Sequence, residues 1–248
     1  MDAEYLLVLR WSDDSGLGEL TEYLRRLSDW IPVTVVDGSA AELFANHSRA
    51  WSGFVRHLPP SGHESLNGKA RGVMTGLSAV SGEVIVVADD DIRYSREALD
   101  AAVAACTDAD LVRPQNYFSP LPWHARWDTA RTLINRAFHS DFPGTLVVRR
   151  AVLERAGGYD GDVLFENLEL IRTVEAAGGE VVRADWLFVR RLPPTTAQFA
   201  SQRVRQAYDS FAQPARLAVE LSLLPLIVWA ALRPRRLLGL ALATVAGG

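Results

Sequence analysis

Apolar runs about as long as a strand alternate along this chain with segments whose apolar residues recur at helical spacing. Tyr5 to Arg10 is a short apolar run and reads as a first strand. Gly16 to Trp30 places Leu17, Leu20, Leu24 and Leu27 on one helical face. Val33 to Val36 is a second, β-branched run, stopped by Asp37-Gly38-Ser39. Strand, helix and strand in that order predict a parallel pair joined by a right-handed crossover. Helical pattern returns over 40–50, 69–80, 95–106 and 164–177, and a turn-rich loop fills 58–68. Further strands are expected at 110–113, 145–148 and 181–189, and the Pro- and Trp-rich stretch from Phe118 turns into a helix up to about 139. The expected fold class is α/β, a mostly parallel central sheet flanked by helices.

One apolar run ends in a feature of its own. Gly82-Glu-Val-Ile-Val-Val-Ala is followed by Asp89, Asp90 and Asp91. Such a run reads as a buried strand, and open α/β sheets place ligands beyond the carboxyl ends of their strands. Three adjacent carboxylates repel one another unless a cation joins them. Oxygen ligands suit Mg²⁺ or Mn²⁺, ions that usually arrive with a phosphate. Residues i and i+2 of an extended chain point the same way, so Asp89 and Asp91 can share one site while Asp90 turns aside.

Composition narrows the partners. The 248 residues carry a net charge of −4 and 48% hydrophobic residues, enough for a sizeable core and contrary to a dedicated nucleic-acid binder. The average hides a basic C-terminal third. Between 183 and 205 lie Arg183, Arg190, Arg191, Arg203 and Arg205 against Asp185 alone. That asymmetry suits a phosphate-bearing ligand or an anionic membrane surface. Cys106 is the only cysteine, which excludes an intramolecular disulfide and a cysteine-based zinc site. The N-terminus lacks a basic n-region, so the part before the tail is expected in the cytoplasm.

The tail differs in kind, and a boundary is expected between 1–212 and 213–248. Leu217 to Leu232 is almost wholly apolar, Arg233-Pro-Arg-Arg236 follows, and 237–246 is apolar again. Neither piece reaches the roughly 20 residues of a comfortable span. An interfacial helix pair on the cytoplasmic leaflet satisfies both the lengths and the arginines. A helical pair packed on a soluble domain is the alternative.

Several segments recur in a recognisable order. They are Val35-Val-Asp-Gly-Ser39, Asn67-Gly-Lys-Ala-Arg-Gly72, Ser81 to Asp91, Pro143-Gly-Thr-Leu-Val-Val-Arg-Arg150, Phe165-Glu-Asn-Leu-Glu-Leu170 and Gln202-Arg-Val-Arg205. Together they resemble the family 2 glycosyltransferases of GT-A fold, particularly the membrane-associated processive and ceramide-glucosyltransferase-like branches. The resemblance covers roughly residues 5 to 210. It implies a nucleotide-diphosphate-sugar donor, most simply a UDP-sugar, a divalent metal (Mn²⁺ or Mg²⁺), an inverting transfer, and a lipid or cell-envelope glycan acceptor at the cytoplasmic membrane face. By this resemblance Asp37 and Gly38 contact the nucleoside, Lys69 and Arg71 the diphosphate, and Asp89 and Asp91 form the D-x-D pair, with Asp91 on the metal and Asp89 on ribose or metal-bound water. Gly144 and Thr145 floor the acceptor pocket, and Gln202 and Arg205 close over the site.

The chain departs from the family pattern twice. Asn167 stands where the general-base aspartate belongs, and an amide accepts no proton at neutral pH. Glu166 is the first substitute and Glu169, one turn on, the second; both also suit a helix N-terminus. Gln206 replaces the tryptophan that follows Gln-x-x-Arg. Two other classes stay open: a non-catalytic sugar-nucleotide-binding or scaffold protein, and a nucleotidyltransferase. Against the last stands the acidic Trp11-Ser-Asp-Asp-Ser-Gly stretch, at the place where a basic, Gly-rich loop belongs.

Overall fold

The computed structural model describes residues 2–61, 68–137, 143–156 and 166–211, with 221–222, 225–226 and 228–229. The chain divides into two compact units, Met1–Tyr117 with Phe142–Arg191, and Phe118–Asp141 with Leu192–Gly248.

The first unit runs β1 (Ala3–Leu9), α1 (Leu17–Ser28), β2 (Val33–Asp37), α2 (Ala41–Trp51), β3 (Arg56–Leu58), α3 (Gly68–Ala79), β4 (Val84–Asp89), β5 (Ile92–Arg93), α4 (Arg96–Ala105) and β6 (Leu111–Phe118, whose last residue falls in the second unit). After α5 (Trp123–Ala137) of the second unit it resumes with β7 (Thr145–Arg149), α6 (Arg150–Arg155), α7 (Glu166–Ala176) and β8 (Val181–Arg191). The eight strands form one sheet in the order β3-β2-β1-β4-β7-β6-β8-β5.

The expected parallel pair is present: β1 lies parallel to β2, with Leu9 opposite Asp37, and parallel to β4, with Val8 opposite Asp89. The sheet as a whole is mixed rather than mostly parallel. β7 runs antiparallel to both β4 and β6, and β5 antiparallel to β8. The sequence pattern misses this because a strand buried on both faces reads as an apolar run whatever its direction.

Side chains alternate across β1, β2 and β4, and each set has its own helices. Tyr5, Leu7, Val33, Val35, Val84 and Val86 pack with Leu20, Leu24 and Leu27 of α1, Trp51 of α2 and Leu99 of α4. Leu6, Val8, Val36, Ile85 and Val87 pack on the opposite face with Val73 of α3 and Leu170, Ile171 and Val174 of α7. The result is a three-layer α/β/α unit. Ser95 caps α4 by accepting from the Ala98 amide.

Two glycines let α3 press on the sheet. A Cβ at Gly72 would come within 2.4 Å of Val8 Cγ1, and one at Gly76 within 2.2 Å of Leu6 Cδ1 and 2.9 Å of its Cγ. Leu6 is fully buried and cannot move aside without displacing the core. Gly76→Ala is therefore expected to destabilise the protein by about 1–3 kcal/mol in a urea titration. Unchanged stability would mean that α3 can lift off the sheet.

In the second unit, α5 and α8 (Thr196–Phe211) carry the described structure. His124 Nε2 lies 2.8 Å from the Pro194 carbonyl, and Arg203 donates to Asp128 at 2.6 Å while stacking over Phe199. Residues 213–248 fall almost wholly outside the described residues, so the reading of the tail stays an expectation from sequence. Among the described residues no helix is long and apolar enough to cross a membrane.

Candidate active site

The acidic triplet lies at the carboxyl end of β4, in the middle of the sheet, where the strand stops and turns into β5. Asp89 and Asp91 share one partner. Arg191, the last residue of β8, donates from Nε to Asp91 Oδ2 at 2.8 Å and from an amino nitrogen to Asp89 Oδ2 at 3.3 Å. The ladder that pairs Ile92 with Arg191 delivers the guanidinium there. Asp90 is used differently, its carboxylate accepting from the indole nitrogen of Trp11. Asp90 and Asp91 lie in the turn between β4 and β5, so Asp89 and Asp91 meet at Arg191 through that turn rather than along an extended strand.

Gly144 completes this corner. Its carbonyl accepts from the Asp89 amide at 2.9 Å, its own amide donates to Asn116 Oδ1 at 2.7 Å, and a Cβ there would stand 3.1 Å from the Arg191 guanidinium carbon. A side chain there would crowd the guanidinium and Ile92 Cδ1, 3.0 Å away.

Charge is tightly held at the tip. Burial raises the Asp91 carboxyl to about 6, with Arg191 opposing and Asp89 and Asp90 adding to the rise. Its Oδ1 is buried and has no hydrogen-bond partner among the described residues. A buried carboxylate oxygen without a donor suits a cation, and the all-oxygen donor set suits Mn²⁺ or Mg²⁺. The residues present therefore fit a hard divalent ion.

Other expected site residues are placed less favourably. Asp37 is 1% exposed, and its carboxylate is already engaged by Ser39, His47 and His57. Burial works to raise its pKa, but hydrogen bonds from His57, Ser39 and His47 outweigh burial and hold it at about 2. These partners hold the carboxylate from inside the fold, and the nucleoside contact expected of Asp37 stays an expectation from sequence. Gly38 donates its amide to the Leu9 carbonyl. Thr145 is fully buried, giving its hydroxyl hydrogen to the Val87 carbonyl at 2.8 Å and lying 3.0 Å from Tyr94 Oη. Gly144 bonds to the Asp89 backbone, and Thr145 opens β7 opposite Ala88.

Lys69 lies in the first turn of α3, with its side chain outside the described residues. Arg71 is half-buried, and its Nε has no partner among the described residues. Glu166 is the first residue of α7, its side chain likewise outside the described residues. Asn167 donates from Nδ2 to the Pro143 carbonyl at 2.9 Å, which ties the first turn of α7 to the residue before Gly144. Glu169 is half-buried on the same helix. Gln202 is exposed on α8 of the second unit, and the side chain of Arg205 is outside the described residues.

Nothing in the sequence singles out Arg191 or the histidines. Arg191 is one of several arginines in a basic stretch, and nothing local marks it as the partner of residues a hundred positions earlier. His47 and His57 sit in unremarkable helix and edge-strand sequence.

The family model described as Glycosyltransferase like family 2 matches residues 31–209. The chain belongs to this glycosyltransferase family. No curated protein sequence matches it. Among solved structures, this glycosyltransferase is similar to a mannosyltransferase from Pyrobaculum calidifontis in complex with GDP-Man and Mn²⁺, at 18% identity and TM-score 0.64, covering 83% of this chain and 61% of that one. It is also similar to residues 1–349 of TarS from S. aureus in complex with UDP-GlcNAc, at 15% identity and TM-score 0.57, covering 81% and 61%. A third is glucosyl-3-phosphoglycerate synthase from Mycobacterium tuberculosis in complex with phosphoglyceric acid, at 15% identity and TM-score 0.53, covering 79% and 74%. The chain spans about three fifths of the length of the first two structures. These likenesses confirm the GT-A fold of the glycosyltransferase.

Proposed function

We propose that this glycosyltransferase moves a sugar from a nucleotide diphosphate sugar to an acceptor hydroxyl, with inversion, using a divalent cation held by Asp89 and Asp91. The observation that carries the reading is the paired carboxylates at the carboxyl end of β4, with one buried oxygen of Asp91 left without a donor. When bound, the ion would neutralise the charge that develops on the departing nucleoside diphosphate. Arg191 and Arg71 bring positive charge that the phosphates can use, Arg191 already resting on the two carboxylates. Gly144 keeps that corner open to the guanidinium. Glu166, at the start of α7, takes the proton of the acceptor hydroxyl, because Asn167 cannot. One displacement with one base needs no covalent intermediate, so the anomeric configuration inverts.

Support for the donor class comes from the two similar structures solved with GDP-Man and UDP-GlcNAc. The choice of UDP, and of a lipid or cell-envelope glycan at the cytoplasmic face of a membrane as acceptor, rests on the family resemblance and on the apolar, arginine-bearing tail sequence.

A thermal-shift series with UDP- and GDP-sugars, with and without Mn²⁺, tests the reading. Ligand at a hundredfold excess over its Kd adds about 2.7 kcal/mol of stability. A shift that needs sugar nucleotide and Mn²⁺ together is expected. No shift with any sugar nucleotide at saturating concentration removes the donor site. A second reading is favoured by one observation, the Asn167 amide fastened to the Pro143 carbonyl in place of a base. In that reading the chain binds donor without turnover, and the same shifts would appear with no nucleoside diphosphate released.

A further inference from the structure

Across β1 from the acidic tip lies a second polar cluster, of different chemistry. Asp37 ends β2, His47 comes from α2 and His57 from β3. His47 Nδ1 and His57 Nε2 approach the same oxygen, Asp37 Oδ2, at 2.6 and 3.1 Å. The three donor atoms lie within 4.8 Å of one another, and the side chains are 0%, 7% and 0% exposed for His47, His57 and Asp37. In register, Asp37 faces Leu9 and Asp89 faces Val8, on the two sides of β1. Two interstrand spacings put the clusters about 10 Å apart.

Each of the three groups is also held from behind. His47 Nε2 lies 2.9 Å from Asp14 Oδ1, and Asp14 Oδ2 accepts from Asn46 at 2.8 Å. His57 Nδ1 lies 2.8 Å from Ser48 Oγ. Asp37 Oδ1 accepts from the Ser39 amide at 2.8 Å. Aromatic rings fix the imidazole planes, with Phe44 stacked on His57 at 4.2 Å and Trp51 on His47 at 4.9 Å. Outer partners of this kind, which set the tautomer and orientation of a ligating histidine, are the usual second layer of a metal centre.

Charge points the same way. Asp14 and Asp37 bring two carboxylates to the cluster, and a fully buried carboxylate such as that of Asp37 is costly unless matched. A divalent cation matches them. The donors are two imidazole nitrogens and one carboxylate oxygen, a set that suits Zn²⁺ or Co²⁺, whereas Mn²⁺ and Mg²⁺ prefer oxygen alone. Zn–N and Zn–O bonds of about 2.0–2.1 Å in a tetrahedron put neighbouring donors roughly 3.3 Å apart, against 2.6 and 3.1 Å from Asp37 Oδ2 to the two nitrogens and at most 4.8 Å between any two donors.

We propose that Asp37, His47 and His57 form a transition-metal site, selective for Zn²⁺ or Co²⁺, separate from the Asp89–Asp91 pair. Three protein ligands leave the fourth position to water or an incoming ligand. The metal ties β2, α2 and β3 together at the end of the sheet. Its ligands differ from the residues that hold the cation in the sugar-transfer reading.

The test uses Co²⁺ as the probe on the full chain after chelator treatment, with Asp89→Asn and Asp91→Asn combined to silence the acidic tip. This double variant is expected to bind one equivalent of Co²⁺, with the visible absorption of a low-coordinate, nitrogen-bearing site, and Zn²⁺ should displace it. His57→Ala should abolish the absorption. Ser48→Ala, which leaves all three ligands in place, should weaken Co²⁺ about 10- to 100-fold and keeps the test decisive if His57→Ala does not fold. Absence of Co²⁺ uptake by the double variant, or wild-type affinity in Ser48→Ala, would overturn the site and leave a hydrogen-bonded network only.

Discussion

Replacing Asp91 with alanine is expected to lower kcat for sugar transfer by at least about a thousandfold, since several kcal/mol of leaving-group stabilisation go with the metal and each 1.36 kcal/mol is a factor of ten. The substitution removes the buried Oδ1 that has no donor and the Oδ2 on which Arg191 Nε rests. Asp89 alone then shares the site with a guanidinium freed from half its pairing. The rate loss should come with lost Mn²⁺ binding by calorimetry and with an unchanged circular dichroism spectrum. Turnover near the wild-type level would take Asp91 out of the metal site. The same carboxyl predicts two pH trends. Mn²⁺ uptake should strengthen as pH rises through about 6, where Asp91 ionises. Folding stability without metal should run the other way. The folded chain keeps this proton up to about 6, above the ordinary value of 3.8, so between those two values the folded state binds more protons than the unfolded. Stability therefore falls as pH rises through that window, and urea midpoints of Asp91→Asn should lose this component.

Glu166→Gln is the second large effect. Removing a general base costs about 10²- to 10⁴-fold in rate. The loss should fall on kcat, with the donor-dependent thermal shift unchanged, because the amide keeps the size of the carboxyl and touches only proton transfer. Asn167 gives no fallback, its Nδ2 hydrogen being committed to the Pro143 carbonyl. If Glu166→Gln turns over as fast as the wild type, the proton goes elsewhere, and Glu169→Gln decides whether one turn along α7 is the place. If neither variant differs from a wild type that releases no nucleoside diphosphate, the chain is a binder.

Much of the fold was legible because the central strands carry a strong apolar signal. β1, β2 and β4 read directly as β-branched or leucine-rich runs, and the leucines of α1 fall on one face. β3 and β5, Arg56-His57-Leu58 and Ile92-Arg93, are too short for any period to show. α6 was missed for the same reason, with six residues directly after β7. The acidic tip was legible as chemistry, since three aspartates after a buried strand have few uses. Its counter-charge was not, because sheet order sets which arginine arrives there. At Asp37 and Thr145 the sequence hides the packing partners. Their types and positions suit ligand contact, yet the one is claimed by two histidines from neighbouring elements and the other by Val87 and Tyr94. Local sequence does not reveal such claims on a polar atom.

The pairing of Arg191 with Asp89 and Asp91 has a bearing on how the molecule comes into being. Ribosomes release the three aspartates long before the arginine, which ends the final strand of the sheet. Until β8 lies beside β5, Asp89 and Asp91 lack the guanidinium that bridges them. The charge pairing of this corner is therefore completed only with the last strand of the sheet.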